Sequence, residues 1–246
     1  MIVPWRGLIR AYGRYRSRHQ LRRMVNFGFL ADALWGCGAF VEDYMLLAGL
    51  VANMKPARIL EIGTNTGLGA VLLAFAARLY DDSAHVTTID IDQSKGRSNL
   101  HLVKGIESCI DFVEGSTDII LPMFAREGRQ FNLIFIDGDH RYEQARKDWE
   151  NTQTLTATWV LHDTTQFAGL QRLVSEIRAL NEYDVFQVLS KIGHRMSPVL
   201  MREEFITGMS LVQHRRALDV LPEQAHRDTE GNLLSSHGDH HHLFLG

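Results

Sequence analysis

The feature that most constrains this chain is an alternation that runs from about residue 40 to residue 183. Short apolar runs, several ending in Gly or Asp, are separated by longer stretches whose apolar residues recur at helical spacing. The segment FVEDYMLLAGLVANM (40–54) reads as a helix that Pro56 stops before the buried run RILEIG. The pattern then predicts a helix over 67–80, strand HVTTIDI (85–91), a helix from about 93 to 104 and strand DFVEG (111–115). Helix TDIILPMFAR (117–126), strand NLIFID (132–137), helix YEQARKDWENTQ (142–153) and strand TWVLHD (158–163) follow. Strands joined by helices give βαβ units, a parallel sheet and helices on both faces, which is a doubly wound α/β fold. After helix LQRLVSEIRALNEY (170–183) come two strands, DVFQVLS (184–190) and GMSLVQH (208–214), with no long helix between them, so the end reads as an antiparallel hairpin. Ligands in such sheets bind beyond the carboxyl ends of the strands, at the point where strand order reverses.

The domain expected at 40–215 lies between two segments of different character. Residues 1–39 form an Arg-rich helical extension and 216–246 a polar tail. Arg6, Arg10, Arg14, Arg16, Arg18, Arg22 and Arg23 make residues 1–31 +7 with no acid; the chain is −3 overall, which leaves −10 for the rest. Such a leader reads as a solvated or partner-contacting helix, with a peripheral membrane contact as the other reading. The acidic remainder argues against nucleic acid as a partner. Cys37 and Cys109 have no metal-ligand or disulfide spacing, and the start lacks an apolar signal core, so a reducing, cytoplasmic setting is expected. The tail tract His237-Gly238-Asp239-His240-His241-His242 reads as a disordered segment with incidental metal affinity.

Chemistry is concentrated at the strand ends. The first strand leads into Glu61-Ile62-Gly63-Thr64-Asn65-Thr66-Gly67-Leu68-Gly69, a tight turn that opens a helix. A dinucleotide fingerprint requires glycine where Asn65 stands, and no Gly-Lys-Ser/Thr follows, so phosphate binding is disfavoured. The second strand ends in Asp90, placed to accept both hydroxyls of a ribose, with Asp92 as the fallback. The fourth ends in Asp137-Gly138-Asp139-His140 and the fifth in His162-Asp163-Thr164. Adjacent parallel strands bring Asp137 and Asp163 to one edge, where two carboxylates suit a hard cation such as Mg²⁺.

ILEIGTNTG, TTIDID, VEGSTDIILP, FIDGDHRYE and VLHDTT, in this order over about residues 40–215, resemble the class I S-adenosylmethionine-dependent O-methyltransferases, in particular the small-molecule branch that includes the catechol and macrocin enzymes. The resemblance implies a Rossmann-like sheet of seven strands and methyl transfer to a small-molecule hydroxyl. It implies that Glu61, Gly63, Thr64, Asn65 and Gly67 cradle the methionine moiety, that Asp90 holds the ribose and that Ser116 sits by the adenine. Asp137 would border the cofactor and, with Asp163, hold the metal; His140 stands at the family's catalytic base position, where an imidazole titrating near neutrality is suited to take the hydroxyl proton. Related metal-dependent members carry a second acidic or amide ligand where this chain has Thr164, and His162 is a nitrogen substitute that would favour a transition metal. The acceptor pocket is expected from residues 24–45 and 191–207, with Phe27, Phe29, Trp35 and Met196 as an apolar wall. A homo-oligomer is also expected. The competing readings are a cofactor-binding accessory protein of a biosynthetic pathway and a membrane- or partner-associated module with a vestigial site.

Overall fold

Ile59 and Leu60 are neighbours in β1 (Arg58–Ile62), yet they feed two different cores. Ile59, Val86, Leu133, Phe135 and Val160 pack beneath α1 (Val41–Met54) and α2 (Leu68–Arg78). The alternate residues Leu60, Ile89, Ile134, Ile136, Trp159 and Leu161 pack against α4 (Thr117–Arg126), α5 (Tyr142–Thr152) and α6 (Ala168–Ala179). Side chains alternate along a strand, so a strand covered on both faces must be apolar at nearly every position, which is why these runs stand out in the sequence.

The computed structural model describes residues 41–100, 105–191 and 206–215. The Arg-rich leader, the polar His-containing tail and residues 101–104 and 192–205 lie outside the described residues, as do the last part of the helix expected over 93–104 and the readings placed on Phe27, Phe29, Trp35 and Met196. The remaining elements are β2 (His85–Asp90), α3 (Ser94–Leu100), a 3₁₀ turn (Glu107–Cys109), β3 (Ile110–Glu114), β4 (Leu133–Ile136), β5 (Thr158–Leu161), β6 (Tyr183–Lys191) and β7 (Ile206–His214). They form a seven-stranded sheet in the order β3-β2-β1-β4-β5-β7-β6. The first five strands pair in parallel, and β7 runs antiparallel to both β5 and β6. The expected doubly wound α/β sheet with an antiparallel end is therefore the observed fold. The order reverses at β1, which has β2 on one side and β4 on the other, so the crevice opens beyond these three strands. Among the described residues no helix is long and apolar enough to cross a membrane.

Most boundaries shift by one or two residues, and the end of α6 shifts further. The helix expected to reach residue 183 stops at Ala179, because Asn181 turns left-handed at φ 51° and Tyr183 begins β6. Tyr183 is buried between Trp149 and Trp159, with ring centroids 5.5 and 5.9 Å away in edge-to-face contacts. Aromatic packing across elements, which helical periodicity does not encode, sets this boundary.

Candidate active site

A cleft of about 630 Å³ lies at the crevice and is bordered by the ends of β1, β2, β4 and β5. Gly63 ends β1 with φ +97°, and a Cβ there would sit 2.1 Å from the carbonyl oxygen of Asp137. Only glycine lets the ends of β1 and β4 approach this closely. Asn65 is also left-handed, at φ 44°, and its N–H donates to Asp90 Oδ2 at 2.8 Å, so the carboxylate that ends β2 closes the turn that follows β1. Glu61, Gly63, Thr64, Asn65, Asp90 and Ser116 all border the cleft. Gly67 does not: it is the left-handed residue before α2, and a Cβ on it would stand 3.0 Å from the Gly96 Cα. Its glycine serves a close crossing of α2 and α3. Asp92, the fallback for the ribose, lies outside the cleft wall and accepts the Ser94 N–H at 2.8 Å, capping α3.

Glu61 is 1% exposed and ends a chain of buried polar side chains. Gln93 Nε2 donates to Thr64 Oγ1 at 2.9 Å; the Thr64 hydroxyl lies 2.6 Å from that of Thr88; and Thr88 donates to Glu61 Oε2. Because Thr88 spends its one hydroxyl proton on Glu61, Thr64 is the donor between the two threonines. Burial pushes the Glu61 carboxyl well above the usual carboxylate range, against the pull of the Thr88 hydroxyl. Sequence reading missed Thr88 and Gln93 as members of this chain. The available signal was a pair of threonines, Thr87 and Thr88, inside an otherwise apolar strand.

At the other end of the cleft, β4 and β5 deliver two carboxylates and two imidazoles. His140 Nε2 lies 3.2 Å from Asp163 Oδ2 and 3.8 Å from Asp137 Oδ1. His162 Nδ1 lies 3.2 Å from Asp137 Oδ1 and 3.4 Å from Asp163 Oδ2, and its Nε2 is 3.5 Å from Asp43 Oδ2 on α1. The Asp137 and Asp163 carboxylates sit below the usual range; burial works against their charge, and the imidazoles more than offset it. The same two carboxylates push His140 up to about 9, away from the near-neutral titration expected of it, although partial burial opposes this. Its ring is stacked on Phe167 at 4.2 Å between centroids, with 14° between the planes. One donor atom each from Asp137, His140 and Asp163 fall within 4.8 Å of one another, so these residues can hold a metal ion. Thr164 cannot join them. Its hydroxyl lies 2.9 Å from Ser210 Oγ and 3.3 Å from the Gly208 carbonyl, both on β7.

Residues 60–164 match the family model described as a methyltransferase domain. This stretch of the chain is thus similar to a methyltransferase domain. Solved structures similar to it include an O-methyltransferase from Bacillus cereus in complex with SAH, at 17% identity and TM-score 0.58, covering 79% of this chain and 91% of that one. TomG from Streptomyces achromogenes, an O-methyltransferase involved in tomaymycin synthesis and solved with SAM, is 19% identical at TM-score 0.58 and covers 79% of this chain and 89% of its own. The methyltransferase PaMTH1 of Podospora anserina, bound to SAH, is 16% identical at TM-score 0.55 and covers 87% and 99%. No curated protein matches the sequence. The comparisons agree with the resemblance carried by ILEIGTNTG and IDGDH, and the fold shared with these structures is the one that opens a cleft at the switch point of the sheet.

Proposed function

We propose that this methyltransferase transfers the methyl group of S-adenosylmethionine to a hydroxyl of a small molecule. The observation that carries this reading is a single cleft with two chemically distinct ends. One end has Glu61 and Asp90 around the glycine-rich turn; the other has the cluster of His140, Asp137 and Asp163. The residues present fit the cofactor. Asp90 offers carboxylate oxygens to a ribose diol. Ile91, an aliphatic side chain left 78% exposed at the cleft edge, offers an apolar face to a nucleobase, and the Ser116 hydroxyl borders the same region. Glu61 faces the turn that would take the amino-acid end. Bound there, S-adenosylmethionine supplies a sulfonium-activated methyl group.

His140 takes the proton of the acceptor hydroxyl in this proposal when its ring is neutral, so turnover is expected to rise with pH toward about 9, where Asp137 and Asp163 hold its titration. Phe167 holds its ring in plane, and Asp163 and Asp137 orient it and stabilise the imidazolium that forms. Mg²⁺ suits the site poorly: it favours an octahedral shell of oxygens, whereas imidazole nitrogens flank both carboxylates and the Thr164 hydroxyl is committed to β7.

Calorimetric titration with S-adenosylmethionine and S-adenosylhomocysteine tests the cofactor, and saturable binding of both is expected. Absence of binding by the folded protein would reject the proposal. With an acceptor in hand, His140→Ala is expected to lower kcat by about 10² to 10⁴ while cofactor affinity stays within a few fold. Near-normal turnover in a stable variant would remove His140 from the chemistry.

A further inference from the structure

His162 is the more deeply buried of the two imidazoles in this cleft. Its side chain is 5% exposed, and its Nδ1 has no hydrogen-bond partner although two carboxylate oxygens lie 3.2 and 3.4 Å away. A buried polar nitrogen aimed between two acids without making a hydrogen bond is costly, unless something else occupies the point at which all three converge. Ligand bonds of about 2.0 to 2.2 Å set neighbouring donor atoms about 3.0 to 3.5 Å apart, and both His162 distances fall in that range. The other nitrogen, Nε2, faces the carboxylate of Asp43, itself 0% exposed, and metal-ligating imidazoles commonly present their second nitrogen to such a carboxylate. His140 Nε2 also lacks a hydrogen-bond partner and lies 3.2 Å from Asp163, but it is 3.8 Å from Asp137, its side chain is 31% exposed, and its ring is stacked on Phe167, so it is the less suited of the two.

We propose that His162, Asp137 and Asp163 form a nitrogen-bearing site for a first-row transition cation, with Asp43 orienting His162 and His140 left outside as the proton acceptor. The residue that precedes Asp163 in sequence thus supplies the third ligand, in place of Thr164 which follows it and which turns to Ser210. Imidazole favours borderline cations over Mg²⁺, so the site discriminates by ligand type rather than by charge. All three residues border the cleft, so a cation held by them would lie beside the acceptor and would make a hydroxyl that reaches it more acidic. The inference concerns the cleft of the proposed methyl transfer and rests on that reading only for what the ion does there.

The test uses the full chain with His237, His240, His241 and His242 replaced by Ala, so that the tail tract contributes no metal binding. Calorimetry is expected to show one Co²⁺ site at least about a hundredfold tighter than any Mg²⁺ binding. Equal affinity, or no Co²⁺ binding, overturns the proposal. In the Co²⁺ form, proton NMR reports a strongly shifted, exchangeable N–H for each ligating imidazole. One such resonance is expected to persist in His140→Ala, to exchange faster with solvent when Asp43→Asn is added, and to vanish with His162→Gln. Should His162→Gln fail to fold, the His140→Ala protein still decides. Loss there of the resonance, or of Co²⁺ binding, makes His140 the ligand and overturns the assignment. S-adenosylhomocysteine binding by the same protein is measured separately, so failure of the metal site and failure of the methyltransferase reading give different results.

Discussion

Asp90 and Glu61 border the same cleft, and their surroundings separate their roles. Asp90 is anchored by the Asn65 N–H and keeps carboxylate capacity toward the cleft. Asp90→Ala is expected to weaken S-adenosylmethionine binding by about 1.5 to 3 kcal/mol, as for hydrogen bonds to a charged group, which calorimetry reads as roughly a 10- to 150-fold rise in Kd. Unchanged affinity would detach Asp90 from the ribose. Glu61 is held by burial above its ordinary pKa, so the native state keeps a proton that the unfolded chain gives up near pH 4.5. Its favourable contribution is complete below that pH and is lost as pH rises toward the native value. Glu61→Gln should therefore melt higher than the parent, by a margin that opens as pH increases from about 4.5, while binding the cofactor more weakly. A constant margin across that range in thermal melts would mean the carboxyl is not penalised by burial. Strand-end acids such as Asp90, Asp137 and Asp163 could be read in advance because the fold dictates that strand ends face the crevice. Asp43 could not: nothing in the run FVEDYM shows that one acid of a helix faces an imidazole at the end of the fifth strand. The direction of the Thr164 hydroxyl was equally hidden, since Ser210 lies on a strand whose place in the sheet is decided by tertiary pairing.

Elements were legible in proportion to how many of their residues are buried. β4 and β5 are buried at every position, and their apolar runs identified them directly. Helix ends carry weaker signals, as Tyr183 illustrates. At the end of α1, Lys55 adopts φ 52° and its N–H returns to the Val51 carbonyl at 2.8 Å, a left-handed helix stop on a side chain that such a conformation disfavours. Lys55→Gly is expected to raise stability by about 0.5 to 1 kcal/mol in denaturant titration, since glycine adopts this conformation without the Cβ penalty. A loss of stability would instead show that the contact of the Lys55 ammonium with the Tyr80 ring, 5.5 Å from its centroid, outweighs the strain.

For the molecule as a whole, the cleft is a seam: β1, β2, β4 and β5 each contribute one bank of it, so a ligand that spans the cleft ties together both halves of the sheet. S-adenosylhomocysteine at about 100 times its Kd should add about 2.7 kcal/mol of stability and raise the melting temperature by about 5 to 10 °C. A shift confined to one of two separate transitions would mean that the halves melt independently. The antiparallel pairing of β7 was legible only as a hairpin, because strand order at the sheet edge depends on β7 inserting beside β5 rather than on any local pattern.

The contact between His162 and Asp43 joins segments far apart in sequence, α1 before the first strand and the residue after the fifth. Long loops close late, because the entropy of bringing distant segments together is spent before any local contact repays it. In a refolding chain this contact is expected to be among the late ones, and stopped-flow binding of S-adenosylhomocysteine compared with recovery of tryptophan fluorescence checks it. The site is therefore expected to become competent only when the contact between α1 and the end of β5 is made.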